Sequence, residues 1–309
     1  MPLGPWVLHL KLESKEYPTN IDFHSLGHRL ELEGQPCDWE ENIANTSAFS
    51  GCVFGDPEAD RNIVLIGDSH SIALSYELDR YAKLTQAKVY WLKMAGCQYL
   101  PNVVGGRNPP RVDCQANHDE LLDFVRSKHA EIVLTYRWTF RLYPVDGTGI
   151  VMPYENSEGP IEREPYRETF VYENGSFQTN STSKADSLTN YINSLAAVSS
   201  SLNLIYPVPE TAINILYRNS RHWSETGAFL EDLSMPTSDY DERNSFVIEL
   251  FDDLENSKVQ KIRLRELFCE VEFQERCTVQ YGQNPLYLDD DHLADAGTKR
   301  ILTYIFGAY

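Results

Sequence analysis

The sequence predicts an α/β fold, a mainly parallel sheet of five strands with helices on both faces. Two observations carry the prediction. From residue 62 to the end, short apolar runs rich in β-branched residues alternate with stretches whose apolar residues recur at helical spacing. Such alternation is the mark of repeated βαβ units, whose crossovers keep the strands parallel and cover the sheet twice. A length of 309 residues is enough for one large α/β domain with a real core, or for two small ones.

The elements follow in order. Residues 1–60 read as an irregular extension packed on the main domain, with short strands at Trp6–Lys11 and His28–Glu33. The extension closes on "CVFGDPEADRN", a turn-rich entry to the first core strand. Residues 61–309 then form the main domain. "NIVLIG" is a buried strand, and Leu74, Leu78 and Tyr81 after it mark a helix. "AKVYWLK" is the second strand, followed by a loop dense in Gly and Pro from Met94 to Cys114. Leu121, Leu122 and Val125 share one face of a helix in "NHDELLDFVRSKH", and "AEIVLTYRW" is the third strand.

Residues 142–182 are polar and rich in Gly, Pro, Asn and Ser, which reads as a surface insertion forming a lid or a hairpin. Beyond it come a helix in "SKADSLTNYINSLAAVSS" and a fourth strand in "LNLIYPVPE". An acidic amphipathic helix, "SDYDERNSFVIELFDDLENS", precedes a fifth strand, "KVQKIRLREL". The last helix follows "DDDHLADAG" and turns Ile301, Leu302, Ile305 and Phe306 inward.

A net charge of −19 argues against nucleic acid as a partner, since no basic surface is available to replace phosphate counterions. No apolar run reaches the roughly 20 residues that span a bilayer, and the start lacks the pattern of a signal peptide. Six cysteines fall into three sequence-local pairs, Cys37 with Cys52, Cys97 with Cys114, and Cys269 with Cys277. Their spacing lacks the Cys-x-x-Cys of a zinc site, so no metal is expected. Three short-range disulfides and an oxidising compartment are expected, the alternative being six buried thiols. Paired cysteines on a soluble chain suggest a domain cut from a longer exported or membrane-bound protein.

Ligand sites in open parallel sheets lie outside the carboxyl ends of the strands. Ser69, Gly96, Arg137 and Pro207 all fall just past a predicted strand end. Ser69 in "GDSH" has a bland explanation as the helix N-cap, though Asp68 can fill that role. A serine at this turn projects its hydroxyl beside free backbone amides that can stabilise an oxyanion. To act as a nucleophile it needs a base and a group to orient the base. "YLDDDHLADAG" offers both, with His292 in the turn before the last helix and Asp289 three residues earlier. The bland reading of Asp289, Asp290 and Asp291 is a solvated acidic turn.

With "GDSH" after the first strand and "DxxHL" before the final helix, the chain resembles the SGNH (GDSL-like) hydrolase superfamily. More narrowly, it is similar to the SGNH domain that follows the membrane domain in acyltransferase-3 proteins. The resemblance runs from about Cys37 to the end and includes "CVFG", "GCQYLP", "VLTYRW", "YPVPE" and "LYLDDDHLADAG". It implies a flavodoxin-like, three-layer α/β/α sandwich. By position, it implies Ser69 as nucleophile, His292 as base, Asp289 as its partner and Gly96 as an oxyanion donor. The superfamily's Gly-x-Asn-Asp after the third strand is replaced by "TYRWTF", and acyltransferase-3 relatives tend to carry Arg-Trp there. Arg137 is a candidate for the absent donor, against a salt bridge at the sheet edge.

The resemblance further implies O-acylation, mostly O-acetylation, of sugar hydroxyls in a bacterial envelope glycan, without a cofactor. The acyl donor would arrive through an acyltransferase-3 membrane domain in the same longer chain, which places this domain in the periplasm. A carbohydrate acetylesterase is the alternative enzyme, and a catalytically silent glycan-binding module is the alternative outside enzymes. Trp91, Trp138, Tyr143 and Trp223 are candidates for a sugar-stacking platform, against the commoner role of such aromatics as core, and of the four only Trp138 is expected to serve, because of its position.

Overall fold

A computed structural model describes residues 50–93, 103–105, 118–142, 169–173, 176–178, 181–211, 215–228 and 230–307. The chain divides into compact units Met1–Gly34 and Gln35–Tyr309, and the described residues all belong to the second. The strands expected at Trp6–Lys11 and His28–Glu33 lie outside the described residues, as do Gly96, Cys37, Cys97, Cys114 and Tyr143.

In chain order the elements are β1 (Ser50–Gly55), β2 (Arg61–Gly67), α1 (Ser69–Thr85), β3 (Ala87–Lys93), β4 (Val103–Gly105), α2 (His118–Lys128), β5 (Glu131–Thr135) and α3 (Trp138–Leu142). Then come β6 (Thr169–Glu173), β7 (Ser176–Gln178), α4 (Ser181–Val198), β8 (Ser201–Ile205), α5 (Ile215–Thr226), β9 (Leu233–Pro236) and α6 (Thr237–Asp252). The last are β10 (Val259–Ile262), α7 (Leu264–Phe268), β11 (Arg276–Tyr281), β12 (Asn284–Pro285) and α8 (Asp295–Phe306).

The central sheet has the order β1-β3-β2-β5-β8-β10. Its five expected strands run parallel, from β3 through β2, β5 and β8 to β10. A sixth strand, β1, lies antiparallel along the β3 edge, from Ser50 opposite Lys93 to Gly55 opposite Lys88. This strand was hidden in the turn-rich entry because two glycines bracket its apolar residues. Buried Cys52 and Phe54 alternate with the less buried Val53, so one face of β1 is covered.

Both faces of the sheet are covered, as continuous apolar strands require. Val64, Ile66, Ile132, Leu134, Leu202 and Leu204 face one core, with Leu121 and Val125 of α2, Leu188 and Ile192 of α4, and Val247 and Phe251 of α6. Ile63 and Leu65 alternate to the opposite face, where α1 and α8 pack together beside β3. Burying each such Leu, Ile or Val contributes about 1.5–3 kcal/mol. The three-layer sandwich follows.

Two smaller antiparallel sheets flank this frame, β12-β11-β9 and β4-β6-β7. The second holds the hairpin expected in the insertion, with Tyr172 opposite Phe177. The segment "KVQKIRLREL" departs from expectation: its strand ends at Ile262, and Leu264–Phe268 is helical. Its apolar residues Ile262, Leu264 and Leu267 suit either period over so short a stretch. Cys269 and Cys277 form the expected disulfide. Cys52 is also disulfide-bonded, to a partner outside the described residues. No helix among the described residues is long and apolar enough to cross a membrane.

Candidate active site

The site grows from the end of β2. A Cβ on Gly67 would lie 2.0 Å from the carbonyl oxygen of Thr135 and 2.7 Å from the Cβ of Ser71. Only glycine lets the chain leave the sheet so close to β5. Asp68 is the N-cap of α1, and its carboxylate accepts the His70 amide at 3.1 Å. Its backbone carbonyl accepts the Ser71 amide at 3.0 Å and the Ser71 hydroxyl at 2.7 Å. Ser69 is therefore the first helical residue and not the cap, and it is exposed while Asp68, His70 and Ser71 are buried.

The end of β5 adds the second part. The same Asp68 carboxylate accepts the Arg137 amide at 3.1 and 3.3 Å, tying the start of α1 to the turn after β5. The Arg137 guanidinium meets Glu210, beyond β8, in two parallel hydrogen bonds of 3.1 and 2.8 Å. Arg243 of α6 reaches the same Glu210 at 2.6 Å. This fork geometry is the strong form of an Arg–carboxylate contact. Two arginines hold the buried Glu210 carboxyl down to about 2 although burial opposes its charge.

The third part precedes α8. The Leu288 amide donates to the His292 carbonyl at 2.7 Å, and the Ala294 amide to the Leu286 carbonyl at 2.8 Å, so the acidic turn is a closed loop. The Thr211 amide, beyond β8, donates to the Asp290 carbonyl at 2.6 Å and anchors the loop to the sheet end. A Cβ on Gly297 would lie 2.4 Å from the Leu286 carbonyl oxygen, so a larger residue would push α8 off the loop. Within the loop Asp289 does two things. One carboxylate oxygen accepts the backbone amides of Asp291 and His292 at 3.0 and 2.7 Å, and the other lies 2.7 Å from His292 Nδ1.

The three parts meet at Asp291. One carboxylate oxygen lies 3.1 Å from His292 Nδ1. The other lies 3.1 Å from His70 Nε2 and 3.1 Å from Arg137 Nε. The ring of His70 meets that of His292 edge-on, with centroids 5.3 Å apart. The turn that bears Ser69 is thus held beside the turn that bears His292.

Charge follows the geometry. Burial works against a charged His292, but Asp291 and Asp289 outweigh it and lift the imidazolium well above its ordinary 6.5. Burial likewise works against an ionised Asp291, and His292, His70 and Arg137 overcome it, holding the carboxyl well below its usual range. A ring whose Nδ1 is fixed by carboxylates keeps Nε2 for proton transfer. His70, Asp291 and His292 offer ligand atoms within 4.8 Å of one another, as do Asp289, Asp290 and Asp291. Most of those atoms are already committed to the contacts above.

The structure pairs Asp289 with His292 and sets Arg137 against Asp291, while Ser69 is exposed at the start of α1, next to the His70 whose ring meets that of His292. Arg137 takes the salt-bridge side of its two expected roles, its guanidinium turned onto Glu210 and Asp291. Trp138 corrects an expectation. It is 1% exposed, packs edge-on against Tyr136 and Phe251, and donates its indole N–H to the Ile205 carbonyl at 2.8 Å. As the first residue of α3 it turns back into the core, so no sugar can stack on it. Trp91 is buried too and donates to the Ser71 hydroxyl at 3.1 Å. Sequence reasoning passed over His70, Asp291, Glu210 and Arg243. His70 and Asp291 carried one signal, as potential proton carriers adjacent to the serine and the histidine.

A search among curated proteins finds no match. Among solved structures, the Salmonella ser. Paratyphi A lipopolysaccharide acetyltransferase periplasmic domain is similar at 19% identity and a TM-score of 0.49, over 79% of this chain and 82% of that one. A putative platelet activating factor from Streptococcus pneumonia is similar at 14% identity and a TM-score of 0.38, over 81% of this chain and 84% of that one. The family model for the SGNH domain (fused to AT3 domains) matches residues 36–305. With "GDSH" opening α1 and "DDDH" before α8 drawn to one end of the sheet, the chain belongs to that SGNH family.

Proposed function

We propose that this domain is an O-acyltransferase that moves an acyl group, in the first instance acetyl, onto a sugar hydroxyl of an extracytoplasmic glycan. The carrying observation is the Asp289–His292 pair, 2.7 Å apart, set beside an exposed Ser69 at the start of α1. Ser69 is the nucleophile, His292 the base and Asp289 the carboxylate that orients the base. His292 Nε2 takes the Ser69 hydroxyl proton as Oγ attacks the acyl carbonyl. The proton then passes to the leaving group as the tetrahedral intermediate collapses to an acyl-serine. A sugar hydroxyl next gives its proton to His292 and attacks the ester, which restores the Ser69 hydroxyl. The backbone amides of Ser69 and Gly96 are the proposed oxyanion donors.

The family's fusion to AT3 domains supports transfer over simple hydrolysis. It also supports a membrane acyltransferase-3 domain in the same longer protein as acyl source, with this domain on the periplasmic side. The disulfides at Cys52 and between Cys269 and Cys277 suit such an oxidising compartment. Residues from the described β1 onward form the catalytic domain on this reading.

The test supplies an activated acetyl ester with a panel of oligosaccharides and follows acetylated sugar by mass spectrometry. Acetylated sugar is expected with the parent protein and not with Ser69→Ala. Deacetylation of an acetylated sugar with no transfer under any condition would make the domain an esterase.

A further inference from the structure

Asp289 accounts for the orientation of His292 on the reading above, yet a second carboxylate occupies the same ring nitrogen. Asp291 is the more deeply placed of the two, with 4% of its side chain exposed against 31% for Asp289. Its two oxygens are fully used. One meets His292 Nδ1 and the other meets both His70 Nε2 and Arg137 Nε, each at 3.1 Å. No solvated acidic turn would aim its third carboxylate into a buried histidine and an arginine from two other parts of the fold. We propose that Asp291 and His70 are positioning residues for acyl transfer, with Asp291 as a second carboxylate on the base and His70 as the strut from the serine's turn to it.

The proposal rests on His292 being the base and Ser69 the nucleophile. His70 directly follows Ser69 and is held by the Asp68 cap, so its Nε2 contact fixes Asp291 to the serine's own turn. Arg137 fixes the same carboxylate to the turn after β5, and Arg137 is itself held by Glu210. The base is thereby located against the nucleophile from two directions. Neither direction depends on the short side chain of Asp289 alone.

The arrangement predicts opposite electrostatic effects. The charged and titratable groups around the His292 ring are Asp289, Asp290 and Asp291 of its own loop, His70 of α1, and Arg137 with Glu210 and Arg243 behind it. Asp291→Asn removes a negative charge from beside the imidazole, so His292 loses its proton at lower pH. Removing His70 takes a hydrogen-bond donor from Asp291, which leaves more of its charge acting on His292, so the proton leaves at higher pH.

The experiment measures kcat and kcat/KM against pH for 4-nitrophenyl acetate with all 309 residues of this chain. Asp291→Asn is expected to move the acid limb of kcat/KM down by about one pH unit and to lower kcat about tenfold or more, with KM little changed. His70→Ala is expected to move the limb up, and His70→Gln, which restores a donor near the Nε2 position, to return it to the parent's place. Unmoved limbs in both variants, or movement in the same direction, overturn the proposal. If Asp291→Asn does not fold, the His70→Ala and His70→Gln pair decides alone, an upward shift reversed by Gln supporting it and anything else overturning it. Ser69→Ala separates the two readings: unchanged turnover in that variant defeats the assignment of the nucleophile, whatever the limbs do.

Discussion

The carboxylate of Asp68 accepts the Arg137 amide at 3.1 Å while capping the helix that Ser69 begins. One side chain thus sets the height of the serine and the course of the chain after β5. Asp68→Ala removes both contacts. The lost cap alone costs about 1 kcal/mol, and the stranded Arg137 amide adds to it. We expect a lowered melting temperature and a large loss of aryl acetate turnover. Asp68→Asn keeps a side-chain oxygen for the cap and should recover most of the stability. Equal stability of Asp68→Ala and parent in urea titration would show the cap to be dispensable.

The proposed nucleophile makes a direct chemical prediction. A fluorophosphonate should label the protein at Ser69, as read by peptide mapping, and at no other serine. Ser69→Ala and His292→Ala should each reduce turnover of an aryl acetate to near background, because members of such a set act as a unit. Asp289→Asn should be severe but milder, since Asp291 still faces His292 Nδ1. Labelling that survives Ser69→Ala would contradict the assignment.

The pH dependence has a definite sign. As the proposed base, His292 must be neutral to accept the serine proton, and its carboxylate neighbours lift its proton loss well above the ordinary 6.5. Turnover should rise with pH through a midpoint above 6.5 and fall as pH drops below it. Stability should run the other way. A folded value above the unfolded one contributes stability that is complete below 6.5 and lost as pH rises through the folded value. Denaturant titrations at pH 6 and pH 9 should show this loss in the parent and a smaller one in His292→Gln.

Glu210 is expected to matter most for stability. Removing its charge leaves two guanidiniums, Arg137 and Arg243, both 11% exposed, without their shared carboxylate. Breaking a buried pair in this way costs about 3–5 kcal/mol. Glu210→Gln should therefore lower the urea midpoint sharply. Because Glu210 is held near 2, its contribution is present above the unfolded value of 4.5 and is lost only as pH falls through about 2. A variant as stable as the parent would mean that the arginines find other partners.

Trp138 should behave as core. Trp138→Ala is expected to cost about 3–5 kcal/mol, and Trp138→Phe about 1 kcal/mol for the lost hydrogen bond to Ile205. In the folded Phe variant the KM for a sugar acceptor should match the parent's. A raised acceptor KM with unchanged stability would return the residue to the substrate.

The parallel strands were legible as short apolar runs rich in β-branched residues, and the first and last helices as apolar residues recurring at helical spacing. Ser69, Asp289 and His292 were legible for a different reason, since all lie in short stretches whose neighbours set their local geometry. What stayed hidden depends on convergence in space. Nothing near Glu210 in sequence indicates that Arg137 and Arg243 both reach it. Asp291 looked like one of three exposed acids until His70 and Arg137 closed over it. Trp138 misled because position past a strand end fixes the place of a residue but not which way a short helix turns its side chain. β1 was missed since an edge strand needs only one covered face and can tolerate glycine.

The contact between His70 and Asp291 joins residues 221 apart in sequence. A ribosome adding about 5–20 residues per second makes His70 about 10–40 s before Asp291. During that interval the chain already carries its serine but has nothing to remove the serine's proton. With Ser69 as the proposed nucleophile and His292 as its proposed base, a chain that ends before residue 292 is expected to be inert toward acyl donors. A protein whose reactive intermediate must be handed to a chosen acceptor gains from that order, because unfinished copies cannot consume the donor.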